Sequence, residues 1–274
     1  MNGISLYKIF QQPELTDSTL IICWDEDAGK MGLNVFNFLS DGLSLVLLGE
    51  IEPRDYFSLG GVLVESDIAL FPESSFYYCA GKNLVVLKSN LPRFEWFKFV
   101  NTVLDLSEKV CKIRELYTVG GMVSVSSHNL PRVLMATMNS SESKAKLSEY
   151  NIVLNMDYET PPGQRPTMSS YLIWAAMQRK IIGISLWVPV PFYMVNVDDF
   201  KACRQILDFF NQRLMLGLDM RVLEGATINQ SKKIDEISNH HTELKDILYK
   251  LENNTILSQS ESNRIVEIFE EQLK

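Results

Sequence analysis

Hydrophobic residues reach this chain in short solid blocks separated by longer stretches of helical periodicity, and that alternation predicts most of its elements. Thr19 to Trp24 (TLIICW) is a continuous apolar run of strand length. Acids, Gly29, Gly32 and an amphipathic stretch from Leu33 to Leu39 follow, so the pattern predicts strand, loop, helix. Leu45 to Ile51 predicts a second strand. Val62 to Glu65 and Ile68 to Phe71 predict the limbs of a short hairpin around Ser66-Asp67. Leu84 to Leu87 is a buried strand. Between Pro92 and Cys111, Phe94, Phe97, Val100, Val103, Leu104 and Leu106 recur at helical spacing, ahead of a strand from Ile113 to Val119 that ends in Gly120-Gly121. Arg132 to Met138 and Ile152 to Met156 predict strands, and Ile182 to Val190 a last one that closes the sheet. Thr167 to Gln178 and Asp198 to Leu216 predict helices, the first capped by Thr167 or Ser169.

Strands joined by helical segments of ten or more residues need crossover connections, hence a largely parallel sheet covered on both faces. The expected fold is a three-layer α/β/α sandwich with a mostly parallel sheet over residues 1–225, followed by a C-terminal helical hairpin over 226–274. In that tail, Ile234, Ile237, His241, Leu244, Leu248 and Leu251 form a heptad-like seam. Asn253-Asn254 breaks it. A second helix starts near Ser258, which has the spacing of a capping box with Glu261, and runs through Ile265, Ile268, Phe269 and Leu273. Two readings stand side by side: Ile234, Ile237, Leu244, Leu248 and Leu251 form an oligomer or partner interface, or the helices pack on their own body.

Composition narrows the functional classes. Acidic side chains outnumber basic ones 34 to 26, giving a net charge of −8, which argues against a nucleic-acid partner. Cys23, Cys79, Cys111 and Cys203 are scattered, without CxxC spacing, and read as buried reduced thiols of a cytoplasmic protein. The opening MNGISLYKIF lacks the pattern of a secretory signal. Pro189 and Pro191 interrupt the longest apolar run, Ile181 to Val197, so no membrane span is expected.

His128 is the one histidine of the body, the other two being His240 and His241 in the tail. With no HExxH, no paired CxxC and no GxSxG elbow, neither a zinc site nor a Ser-His-Asp hydrolase is expected, and no metal or cofactor is assigned. His128 sits in the loop SSHNLPR, as a turn residue or as a proton shuttle. Asp25-Glu26-Asp27-Ala28-Gly29-Lys30-Met31-Gly32 matches no phosphate-binding pattern and reads as solvated acids near a helix N-terminus, a divalent-ion site being the other reading. The loop Pro161 to Thr167 places Gly163 and Arg165 before a helix, as a rigid turn or an anion holder. Trp174, Trp187, Phe192 and Tyr193 are read as interface or core before base-stacking groups. If Gly120, Gly121, His128, Arg132, Gly163 and Arg165 converge at the strand ends, they form a crevice for a small anionic or nucleoside-like ligand.

Several segments together carry a resemblance: PELTDSTLIICWDEDAGKMGLNVFNFL near the N-terminus, LYTVGGM at 116–122, the SHNLPRV loop, and above all IIGISLWVPVPFYM at 181–194. Over roughly residues 10–225 the chain resembles the proteasome assembly chaperone family, in particular the bacterial and archaeal relatives of the second assembly chaperone (PAC2-like). The resemblance implies a three-layer fold similar to purine nucleoside phosphorylases, self-association into rings or small oligomers with a homotrimer first, and no established catalytic residues. Family members commonly carry Pro-His-Tyr where this chain has Pro191-Phe192-Tyr193. Archaeal relatives that engage proteasomes end in a hydrophobic residue, a tyrosine and one more, whereas this sequence ends Gln272-Leu273-Lys274, so proteasome docking through that peptide is not expected. The expected function is a non-catalytic oligomeric binding or scaffold protein. The alternative is an enzyme or sensor for a nucleoside, nucleotide or phosphorylated metabolite.

Overall fold

A computed structural model describes residues 6–58 and 63–273. The first five residues of the opening segment, Val62 of the hairpin and Lys274 of the terminal tripeptide therefore lie outside the described residues. The chain forms β1 (Tyr7–Ile9), β2 (Ser18–Trp24), α1 (Met31–Leu43), β3 (Val46–Ile51), the hairpin β4 (Leu63–Glu65) and β5 (Ile68–Leu70), β6 (Ser74–Cys79) and β7 (Leu84–Ser89). Then come α2 (Trp96–Lys109), β8 (Ile113–Ser124), β9 (Leu134–Met138), α3 (Ser141–Leu147), β10 (Ile152–Val153), α4 (Met168–Gln178), β11 (Ile182–Pro191) and α5 (Phe200–Arg213). Three helices end it: α6 (Arg221–His240), α7 (Thr242–Glu252) and α8 (Gln259–Leu273).

Nine strands make one sheet in the order β1-β3-β6-β7-β2-β8-β11-β9-β10. Its centre, β7-β2-β8-β11, is parallel, with Ile21 opposite both Val86 and Tyr117, and Tyr117 opposite Ile184. The flanks are not: β1, β3 and β6 join by antiparallel pairing, and β9 runs against β11. The sheet is thus parallel where it holds the rim and mixed overall. β11 does not close the sheet but lies inside it, between β8 and β9. β8 continues through Gly120-Gly121 to Ser124, and β10 keeps only two of the five expected residues.

Alternation along the central strands divides the core. Ile21, Cys23 and Tyr117 face α1 and α5, while Leu20, Ile22 and Leu116 face α2 and α4. Both faces are apolar because both are covered, which gives the three layers.

The C-terminal helices extend the first of these layers. The C-terminal helices are present as expected, and His241, in an extended conformation (φ −126, ψ 94), divides the first of them into α6 and α7. Ile234, Ile237, Leu244, Leu248 and Leu251 are all buried in the same cluster as Tyr193, Met194, Ile206 and Phe210. Their own chain already covers them, each burial contributing about 1.5–3 kcal/mol. Only the outer faces of these helices remain for a partner. Ser258 and Glu261 make the expected capping box, with Ser258 N donating to Glu261 Oε2 at 2.8 Å and Glu261 N to Ser258 Oγ at 3.3 Å.

Candidate functional site

The carboxyl ends of the parallel strands form a rim. Helix α1 leaves it on one face and α2 on the other, so the crevice outside β2 and β7 is a topological switch point, the usual ligand position of an open α/β sheet. The loop Asp25-Glu26-Asp27 leaves β2 here and turns back into α1. Two glycines allow its course. A Cβ on Gly32 would stand 2.1 Å from the Trp24 carbonyl oxygen, and one on Gly121 would stand 2.0 Å from that of Ala28. Gly121 is therefore a site of close backbone approach inside β8, not a strand end.

Glu26 is exposed, as expected, but Asp25 and Asp27 are largely buried and not solvated. Asp27 accepts the Gly32 N–H at 3.1 Å from each of its oxygens and the Gly121 N–H at 3.1 Å, which ties the start of α1 to β8. Burial pushes its carboxyl up to about 7, against those hydrogen bonds, which favour the charged form. Asp25 is pushed up to about 6, again chiefly by burial, with Lys88 pulling the other way. Its Oδ1 is shut off from water with no hydrogen-bond partner among the described residues.

Beside this loop lies a second polar network. Asp199 caps α5 by accepting the Ala202 N–H at 2.9 Å, and its other oxygen accepts from Arg132 Nε at 3.0 Å. Arg132 also donates to the carbonyls of Leu130 (3.2 Å) and Ser127 (3.4 Å). Lys201 Nζ donates to the carbonyls of His128, Asn129 and Leu130 at 3.2, 3.1 and 2.9 Å. The Tyr193 hydroxyl accepts the His128 backbone N–H at 2.7 Å and lies 2.9 Å from His128 Nδ1. Burial, reinforced by the charges of Arg132 and Lys201, lowers the His128 imidazole to about 4, so it is neutral at pH 7. Phe269 of α8 packs on the same Tyr193 ring, centroids 4.6 Å apart.

The expected ligand set therefore divides. Gly120 and Gly121 lie under the Asp27 loop. His128 and Arg132 are joined in the buried network and are structural holders of the loop 127–132. Gly163, with φ +82, and Arg165 are exposed in the loop before α4, and no hydrogen bond or ion pair among the described residues links either to His128 or Arg132. Thr167 caps α4, accepting the Ser170 N–H at 3.1 Å. Of the aromatics, Tyr193 is core, Trp174 is nearly half exposed and stacks on Tyr171, and Trp187 and Phe192 are half-buried. Asp199, Lys201 and the role of Tyr193 escaped the sequence reading. An Asp just ahead of an amphipathic helix was the available signal for Asp199.

Chemically, the rim offers two carboxylates able to exchange protons near neutral pH. Burial pushes the Cys111 thiol up to about 12 and those of Cys23 and Cys203 upward as well, so they stay protonated. Cys79 is half-buried. Among the described residues no group of three or more His, Cys, Asp or Glu is placed to hold a metal, and no helix is long and apolar enough to cross a membrane.

A covered, centrally parallel sheet with helices on both faces defines an α/β/α sandwich. The PAC2 family model matches residues 26–238, and the chain belongs to that family. No curated protein matches the sequence. Among solved structures, a Corynebacterium glutamicum protein of unknown function is 20% identical with a TM-score of 0.76, the match covering 91% of this chain and 96% of that one. A Mycobacterium tuberculosis protein of unknown function is 19% identical with a TM-score of 0.76, covering 97% and 91%. Pyrococcus furiosus PbaB, an archaeal proteasome activator, is 17% identical with a TM-score of 0.70, covering 85% and 98%.

Proposed function

We propose that this protein is a non-catalytic, self-associating scaffold of the assembly-chaperone type, a homotrimer that acts in the cytoplasm by binding other proteins. The observation that carries this reading is the β4–β5 hairpin. Among the described residues it pairs with no other strand, and Ile68 and Phe71 are 63% and 62% exposed, with Val64 and Leu70 exposed beside them. A lone two-stranded hairpin is marginal in water, and its apolar side chains call for a protein surface to cover them. The backbone carbonyl of Tyr56, in the turn that follows β3 on the way to the hairpin, accepts the N–H groups of Arg93 and Phe94 at 2.8 and 3.1 Å, next to exposed Phe94 and Phe97. The likeness to PbaB, an archaeal proteasome activator, supports the protein-binding side of the reading. Residues 226–274 serve as a helical extension that braces the body.

A photo-crosslinking residue in place of Phe71 tests this. The expected product is a crosslink between two copies of the chain or to a second protein. Only intramolecular crosslinks would overturn it.

One observation favours a second reading, a small hydrogen-bond-donating ligand in the crevice outside β2 and β7: the buried, unpartnered Asp25 Oδ1. His128 and Arg132 lend it nothing, being engaged elsewhere. A nucleoside that raised the melting temperature of the wild type and not of Asp25→Asn would support it.

A further inference from the structure

The sheet stops short at its β9–β10 edge. The apolar pattern predicts a strand from Ile152 to Met156, and its alternation persists, with Ile152, Leu154 and Met156 half-buried and Val153, Asn155 and Asp157 exposed. Only Ile152 and Val153 pair, opposite Leu134 and Met135 of β9. Asn155 then takes a left-handed conformation, φ +63, and the pairing ends. A cavity of about 410 Å³ opens between the rest of β9 and the departing chain. Ala136 and Met138 line it from the strand, Leu154, Met156 and Asp157 from the departing chain, and Lys144 from α3.

The ladder fixes which backbone groups face this cavity. The Asn139 N–H donates to the Gly183 carbonyl at 3.1 Å, in register with the antiparallel pairing of β9 and β11. In such a pair, residues that exchange bonds with one neighbour alternate with residues directed away from it. Thr137, like Asn139, therefore faces β11, and Ala136 and Met138 direct their backbone groups to the outer edge. Parallel pairing with Val153 uses the Ala136 N–H. Among the described residues neither the Ala136 carbonyl nor the N–H and carbonyl of Met138 has a hydrogen-bond partner. The edge is held firmly in place. The Asn139 side chain donates to the carbonyls of Ile173 and Ile181 at 2.9 and 3.1 Å and accepts the Gly183 N–H at 2.9 Å. A fixed edge with unpaired groups is a template for one more strand, and binding to it costs little ordering.

Charge supplies an independent observation. Lys144 and Asp157 are both exposed at the cavity, and among the described residues neither enters an ion pair. Lys144 belongs to α3, whose Leu147 packs on the same face of the sheet as Ile152 and Leu154, whereas Asp157 alternates with those residues toward the other face. Neighbouring residues of a strand also point to opposite faces. We propose that the outer edge of β9 binds an extended segment of a partner protein as an added strand, with an acidic side chain toward Lys144 and an adjacent basic one toward Asp157. Its backbone pairs with the Ala136 carbonyl and with both groups of Met138. A second copy of this chain is the poorer occupant: its exposed segment Asp157-Tyr158-Glu159-Thr160 brings acids and no base.

The site lies apart from the β4–β5 hairpin, and its test involves neither the hairpin nor self-association. The probe is fluorescein-labelled acetyl-Thr-Val-Glu-Lys-Val-Thr-amide, read by anisotropy on the full chain. Two further forms of it carry N-methyl groups at alternate residues, in complementary sets. Hydrogen exchange read by mass spectrometry across 134–139 reports on the edge itself. Expected are saturable binding, a loss of about tenfold or more in at least one N-methylated form, and one additional protected amide, that of Met138, on saturation. The exposed Lys144→Glu variant, its fold checked by thermal melting, is expected to bind about fivefold more weakly. No binding by the wild type, or equal binding of both N-methylated forms, overturns the added strand. Undiminished binding by Lys144→Glu overturns the charge assignment. A Met138 amide already protected in the free protein, and more so at higher concentration, assigns the edge to a second copy and overturns the partner.

Discussion

Arg132 and Asp199 meet at 3.0 Å in a pair that water does not reach, their side chains 2% and 1% exposed. Such a pair is satisfied only as a unit, since either charge alone would be left buried. Asp199→Ala removes the partner of a buried guanidinium and the cap of α5 together. The expected loss is about 3–5 kcal/mol. Urea unfolding measures it, and Arg132→Met/Asp199→Ala is expected to lose less than Asp199→Ala alone.

Asp25 makes the protein weaker in alkali. Its folded carboxyl, at about 6, binds protons more readily than in the unfolded chain, near 3.9. The folded state thus holds the extra proton between those values, and stability falls as pH rises through about 6. Asp25→Asn removes the penalty. With partial solvent screening allowed for, the variant is expected to gain about 1–2 kcal/mol at pH 8 and nothing at pH 4. Equal gains at both pH values would contradict the assignment.

His128 acts in the opposite direction. Held neutral with a folded pKa of about 4, it binds protons less readily than the unfolded imidazole, near 6.5. Its contribution is complete above pH 6.5 and is lost as pH falls toward 4. Proton NMR of the His128 ring is expected to show no titration between pH 8 and 5.5. Tyr193→Phe, which strands the His128 N–H, is expected to cost about 1–3 kcal/mol.

Phe269 tests whether the tail is part of the core. Fully buried against Tyr193 and 6.1 Å from the His128 ring, it joins α8 to the rim network. Phe269→Ala is expected to lower stability by about 3–5 kcal/mol in a single cooperative transition. An early, separate melting of the tail would show that it is only loosely attached.

The central layers were legible because their chemistry is local. TLIICW and LVVL are solid apolar runs, and Val100, Val103, Leu104 and Leu106 keep a helical period on a buried face, whereas Phe94 and Phe97, read with them, are exposed. β6 was missed because SSFYYC mixes small polar and aromatic residues, and it is a strand only through pairing with β3 and β7 on either side. β1 has three residues and the same cause. The break at His241 was hidden by an apolar spacing that continues across it. At the rim, residue type misled: Asp25 and Asp27 look solvated in sequence, and only the fold of their loop over β8 buries them. Arg132 looked available, but its partner Asp199 is 67 residues away.

Self-association through the hairpin is tested most directly by sedimentation velocity on the full chain and on Ile68→Asp/Phe71→Asp. The wild type is expected to sediment as a multiple of the 31.3 kDa chain and the variant as a folded single chain. A wild type that stays at 31.3 kDa at micromolar concentrations, or a variant that assembles equally well, would contradict the account.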